Sequence, residues 1–134
     1  MSNVKYLFVH TAAADIPNVD ADKIKGWHLD RGWSDIGYHY VILDDRHASK
    51  ADGTVEKGRT DSRPGAHVKG VNSVSLGICC AGHGDHRPFT AAQMASLVDL
   101  LARLARKHEI DPANVLGHRE VNALVDRGDV DERY

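Results

Sequence analysis

Three histidines sit where an apolar run meets polar sequence. His10 ends Tyr6-Leu7-Phe8-Val9, His39 lies within Gly32-Trp33-Ser34-Asp35-Ile36-Gly37-Tyr38-His39-Tyr40-Val41-Ile42-Leu43, and His118 follows Val115-Leu116-Gly117. Polar side chains at strand ends are where active sites are commonly built. Neutral imidazoles are favoured ligands of zinc, which supplies both requirements of amide hydrolysis at neutral pH. It lowers the pKa of its bound water to about 7 and acts as a Lewis acid on the carbonyl. The placement therefore suggests strand ends converging on one metal-dependent hydrolytic site. Spacing alone carries this only a short way, because the chain has neither a helical His-Glu-x-x-His pattern nor a Gly-x-Ser-x-Gly elbow. A metal site here must be assembled from ligands distant in sequence. Any one of the nine histidines, taken singly, is more often a hydrogen-bonded core or surface group.

The elements that must position these residues follow from the pattern. Lys5 to His10 reads as a strand, and the segment from Thr11 to Asn18 as a loop that Pro17 keeps from being helical. Asp20 or Asp22 can cap a helix with Ile24, Trp27 and His28 on its inner face, stopped by Gly32. Tyr38 to Leu43 reads as a second strand. Asp52-Gly53 then turns the chain into a half-exposed strand, Thr54 to Lys57, with Asp44, Asp45 and Asp52 read as solvated turn residues. Gly58 to Asn72 lacks periodicity and reads as a long surface loop carrying His67 and Lys69. Val74 to Ala81 is a central strand, and the turn after it carries His83 and His86 as loop polar groups. Thr90 to Gln93 is a capping-box pattern opening a helix whose apolar face is read as Met94, Leu97, Val98, Leu101, Leu104 and Ala105, with Met94 as core filler. Val115 to Gly117 is a last short strand. The expected fold class is α/β, a mixed central β-sheet flanked by helices in a single domain spanning 1–134.

Composition bounds the partners. A net charge of −2 over 134 residues creates no large field of either sign, so neither nucleic acid nor an anionic membrane is favoured. No run approaches membrane-spanning length and no signal-peptide pattern opens the chain, which predicts a protein made and folded in the cytosol, with a monomer the expected state. Cys79 and Cys80 are adjacent, a poor arrangement for mutual pairing or for zinc, and read as buried reduced thiols.

Phe8-Val9-His10-Thr11, Trp27-His28, Gly32 to Tyr40, Asp52-Gly53-Thr54-Val55-Glu56-Lys57-Gly58-Arg59, Ala66-His67-Val68-Lys69-Gly70, Asn72 to Ile78 and Gly117-His118-Arg119-Glu120-Val121 occur in that order. Together they resemble the zinc-dependent N-acetylmuramoyl-L-alanine amidases, the family of T7-type phage lysozymes and peptidoglycan recognition proteins. The resemblance implies zinc as cofactor and peptidoglycan or muropeptide as substrate. It makes His10 and His118 metal ligands and Tyr38 the catalytic tyrosine, whose competing reading is an aromatic core residue. It makes His67 and Asn72 substrate-binding groups, with a loop-organising hydrogen bond the alternative for both. His39 is read as orienting or burying polar groups behind Tyr38, and Trp27 with Trp33 as packing. Phage-type members also bind their phage RNA polymerase, but nothing in these residues specifies that surface.

The chain departs from the family at one point. A Lys-x-Cys-Pro or Lys-x-Asp-Pro segment supplies the family's third zinc ligand, and none occurs up to Tyr134. Three explanations stay open: a domain lacking that C-terminal segment, an inactive descendant, or substitution by Asp126, Asp129 or Asp131, with Asp126 first among these. The implied function is cleavage of the amide between N-acetylmuramic acid and L-alanine by a phage or prophage endolysin, acting on the wall after release. The alternative is a catalytically impaired peptidoglycan-binding or protein-inhibiting module on the same fold.

Overall fold

A computed structural model describes residues 3–68, 70–82 and 89–117. Among the described residues, runs rich in β-branched, aromatic and leucine side chains form five strands: β1 Tyr6–Thr11, β2 Tyr40–Ile42, β3 Val55–Lys57, β4 Ser75–Cys80 and β5 Val115–Gly117. They make one sheet in the order β3-β2-β4-β1-β5, parallel except for β3, which pairs antiparallel with β2 across the Asp52-Gly53 turn. The expected mixed sheet is therefore present. Four parallel strands place their carboxyl ends along one edge, where open α/β sheets build their sites.

Alternation divides the sheet into two faces. On the back, Leu7, Ile42, Leu76, Ile78 and Cys80 pack against Leu97, Leu100 and Leu104 of helix α2 (Ala91–His108) and against Ile110. On the front, the core falls into two clusters. Tyr6 and Phe8 meet Val68 and Val71 of the loop before β4, while Val41, Leu43 and Cys79 meet Ile24 of helix α1 (Ala21–Asp30), Val19 and Ile36. Trp27 is partly buried against the second cluster, as its expected packing role requires.

Helix α2 departs from the sequence reading in its phase. Thr90 and Gln93 close the expected capping box, with Gln93 N–H donating to Thr90 Oγ1 (3.0 Å) and Thr90 N–H to Gln93 Oε1 (3.1 Å). Gln93 is also fully buried, its amide nitrogen donating to the carbonyls of Ala81 (2.9 Å) and Ile42 (3.3 Å). A polar residue thus sets the inward direction by satisfying carbonyls at the end of the sheet. The buried stripe is Gln93, Leu97, Leu100 and Leu104, and Met94 and Val98 turn outward at 41% and 61% exposure. Met94 is not core filler.

Asp44 also corrects the sequence reading. It is buried, and its Oδ1 accepts from the Arg46 amide at 3.0 Å, so it folds the loop after β2 instead of facing solvent. The rest of that loop is tied to the start of α1. Asp20 caps the helix by accepting from the Lys23 amide (2.9 Å) and also takes His47 Nε2 (2.9 Å) and Lys50 Nζ (3.0 Å). Lys50 continues to Glu56 Oε2 (2.7 Å), whose Oε1 accepts from the Ala21 amide (2.9 Å).

Burial works against the Asp20 charge, but the hydrogen bonds from the Lys23 amide, His47 and Lys50 outweigh it and hold the carboxyl at about 2, below its ordinary 3.8. A carboxyl depressed by folding stabilises the fold above its unfolded pKa, and that contribution is lost as pH falls from 3.8 towards 2. Asp20→Asn keeps a capping side chain and removes the charge. Urea midpoints measured across this window are expected to fall less steeply for Asp20→Asn than for the parent, while Asp20→Ala costs roughly 1 kcal/mol more from the lost cap. The phase of α2 has its own test by thermal or urea unfolding. Leu100→Ala is expected to cost roughly 2–5 kcal/mol, and Val98→Ala to stay within about 0.5 kcal/mol.

Candidate active site

His10 lies next to the carboxyl end of β1, on the front face, and is buried at 5% exposure. Its Nε2 is 3.0 Å from Nδ1 of His67, and the two rings meet edge to face with centroids 5.1 Å apart. His67 comes from the aperiodic loop before β4, and three features of the sequence fix it there. Asn72 Oδ1 accepts from the amides of His67 (3.0 Å) and Val68 (2.9 Å). Ser75 Oγ lies 3.1 Å from His67 Nε2. Gly77 leaves space for the ring, since a Cβ there would stand 2.7 Å from His67 Cγ.

Tyr38 reaches the same place from the turn before β2. Its ring is 5.2 Å from that of His10 and 5.7 Å from that of His28. The turn is held by His28, buried on α1, whose Nδ1 accepts the Gly37 amide at 2.9 Å. Gly37 is required because the loop crosses tightly behind it, and a Cβ would sit 2.4 Å from the Ala66 carbonyl oxygen. Tyr38 packs against the cluster that contains Cys79, which stands opposite His10 in the β1–β4 register. Burial, reinforced by Cys79, pushes the phenol well above its ordinary range, so it keeps its proton at neutral pH and can donate it in a hydrogen bond.

His39 has the supporting role read from the sequence. It is fully buried, with Nδ1 accepting the Gly77 amide (3.1 Å) and Nε2 donating to the Arg63 carbonyl (2.8 Å). Burial pushes its pKa down, as it does for His28, so both act as neutral hydrogen-bonding braces. Both cysteines are free and buried, in agreement with the sequence, and burial raises both thiols.

Of the candidate residues, the structure brings His10, Tyr38 and His67 together, with Asn72 pinning the backbone beside His67. His118, Lys69, His83, His86, Asp126, Asp129 and Asp131 lie outside the described residues. Strand β5 ends at Gly117, paired with Val9, the residue before His10. Among the described residues no three His, Cys, Asp or Glu side chains cluster as a metal site. His10 itself suits a metal ligand, being a buried imidazole whose Nε2 is hydrogen-bonded to a second side chain, the usual arrangement that orients a ligating histidine. Sequence reasoning missed Ser75, Gly77, Cys79 and His28. For the first three the signal was there, since small or polar types alternate with Leu76 and Ile78 in an otherwise apolar run.

The sequence model of a family described as N-acetylmuramoyl-L-alanine amidase matches residues 1–131. The endolysin of Escherichia phage T7 is 41% identical over 121 residues, covering 86% of this chain and 74% of the endolysin. Peptidoglycan recognition protein 1 of Bos taurus is 30% identical, covering 94% of this chain and 67% of that protein. The solved structure of the N-acetylmuramoyl-L-alanine amidase LysC from Clostridium intestinale superposes with a TM-score of 0.77 at 32% identity, covering 90% of this chain and 73% of that one. Agreement of sequence across nearly the whole length with the fold that gathers His10, Tyr38 and His67 shows that this chain belongs to the N-acetylmuramoyl-L-alanine amidase family.

Proposed function

We propose that the chain is a zinc-dependent amidase that cuts the bond between N-acetylmuramic acid and L-alanine in peptidoglycan, in the role of a phage or prophage endolysin. The observation that carries this reading is the pairing of a buried strand-end histidine, His10, with the protonated phenol of Tyr38 on the same face. The endolysin role is supported by the phage relatives.

His10 and His118 would hold the metal. A third ligand would come from outside the described residues, either Asp126, Asp129 or Asp131, or a family-type Lys-x-Cys-Pro segment beyond Tyr134. When bound, zinc supplies a nucleophilic water at neutral pH and polarises the scissile carbonyl. Tyr38 donates a hydrogen bond to the carbonyl oxygen as negative charge develops on it, and its half-buried setting strengthens that interaction. His67 and Asn72 line the muropeptide side. The Oδ1 of Asn72 is already used by the His67 and Val68 amides, so its Nδ2 is the atom offered to substrate.

Kinship with peptidoglycan recognition proteins favours a second reading, in which the same face binds the wall without cutting it. A turbidity assay on purified cell walls separates the two. Clearing is expected with zinc and is expected to stop with a chelator. Tyr38→Phe should lower kcat about 10²–10³-fold with KM little changed, as for loss of one oxyanion donor. His10→Ala should lose both clearing and bound zinc by elemental analysis. Clearing that survives chelation, or an unaffected Tyr38→Phe, contradicts the mechanism, and wall binding without clearing by a zinc-loaded chain supports the second reading. Zinc content of this chain, compared with a form extended by a Lys-x-Cys-Pro segment, locates the third ligand. Equal stoichiometric zinc in both places it within the 134 residues.

A further inference from the structure

A chain of hydrogen bonds runs from a backbone carbonyl to His10, and each link fixes the proton of the next. Ser75 Oγ is 2.7 Å from the Val71 carbonyl oxygen, which can only accept, so the hydroxyl proton is directed there. The same Oγ lies 3.1 Å from His67 Nε2. With its own proton engaged, the hydroxyl accepts, and His67 must carry hydrogen on Nε2. A neutral His67 then has its lone pair on Nδ1, which faces His10 Nε2 at 3.0 Å. That contact is a hydrogen bond when His10 also carries its hydrogen on Nε2, which puts the His10 lone pair on Nδ1.

We propose that Ser75 and His67 are positioning residues that set the tautomer of His10, so that His10 offers Nδ1, and not Nε2, to the metal. This rests on the reading of His10 as a metal ligand. The competing geometry has His10 Nε2 and His67 Nδ1 converging on one ion. Two ligands at about 2.0–2.1 Å in a tetrahedral site stand about 3.3 Å apart, whereas the observed 3.0 Å is an ordinary hydrogen-bond length. Burial protects the chain, since Ser75 is 3% exposed and water has little access to compete for its hydroxyl. Gly77 leaves the space the His67 ring occupies, from which it reaches Ser75 with one nitrogen and His10 with the other. Second-side hydrogen bonds of this kind fix both tautomer and ring orientation of ligating histidines, and their loss lowers metal affinity about 10–100-fold.

Long-range ¹H–¹⁵N spectra of the histidine rings test this on the intact chain, first without metal. At a pH where both rings are neutral, His10 and His67 are expected as Nε2–H tautomers. Ser75→Ala should shift His67 and then His10 towards mixed tautomers and weaken zinc binding about 10–100-fold, while Ser75→Thr, which keeps the hydroxyl, restores both. On zinc addition the ¹⁵N signal that moves at His10 should be Nδ1. The relay is overturned if wild-type His10 is the Nδ1–H tautomer, if zinc shifts its Nε2, or if Ser75→Ala leaves tautomers and affinity unchanged. The wild-type spectrum decides the first of these even if a variant fails to fold. The expected tautomers without any zinc uptake would overturn the metal reading and leave the relay standing.

Discussion

The site depends on one bare position in the middle of the sheet. At Gly77 the backbone amide donates to His39 while the space above the α-carbon holds the ring of His67. A side chain there would displace that ring, and His67 would lose reach to Ser75 on one side and His10 on the other. His39 extends the same constraint outward, because its second nitrogen holds the Arg63 carbonyl and so ties the long loop to β4. The aperiodic segment between β3 and β4 is thus ordered by two histidines and a glycine together with Val68 and Val71, which pack on Tyr6 and Phe8. This is how a loop can deliver a side chain to a site with the precision of a strand.

The two faces divide the work. The back face with α2 is mostly hydrocarbon, broken at the end of the sheet by the buried amide of Gln93, and carries the burial that dominates folding free energy. The front face interrupts its apolar clusters with His10, His67 and Tyr38, and the cost of the two imidazoles is met by pairing their ring nitrogens. Burial leaves the supporting groups uncharged: His28 and His39 are pushed towards the neutral form, and Tyr38 and Cys79 towards the protonated form. A divalent cation held by His10 would be the dominant charge in such surroundings, and its effect on a bound carbonyl would be little screened.

Much of this fold is legible in the sequence because turn residues and apolar runs mark the five strands and two α-helices of the described residues. The phase of α2 is not, since counting apolar residues places Met94 and Val98 inward and gives no weight to Gln93, whose amide satisfies two sheet carbonyls. Asp44 is misread for the same reason: a turn aspartate can be buried when its own loop supplies the donor. At the site, His10 and Tyr38 are visible from strand-end placement and family resemblance. The connection of His67 to Ser75 and His10 is not, because it joins an aperiodic loop to two strands far apart in sequence. Ser75, Gly77 and Cys79 are hidden inside a run that reads as plain core, although their alternation marks the face that carries the chemistry.

The proposed function requires this face to cut the amide joining the glycan to its peptide stem. Chemical identification of the ends released from purified peptidoglycan tests it most directly. End-group labelling of a zinc-loaded digest is predicted to show new amino-terminal L-alanine and no new reducing sugar ends. New reducing ends, or new amino termini at other stem residues with none at L-alanine, would contradict it.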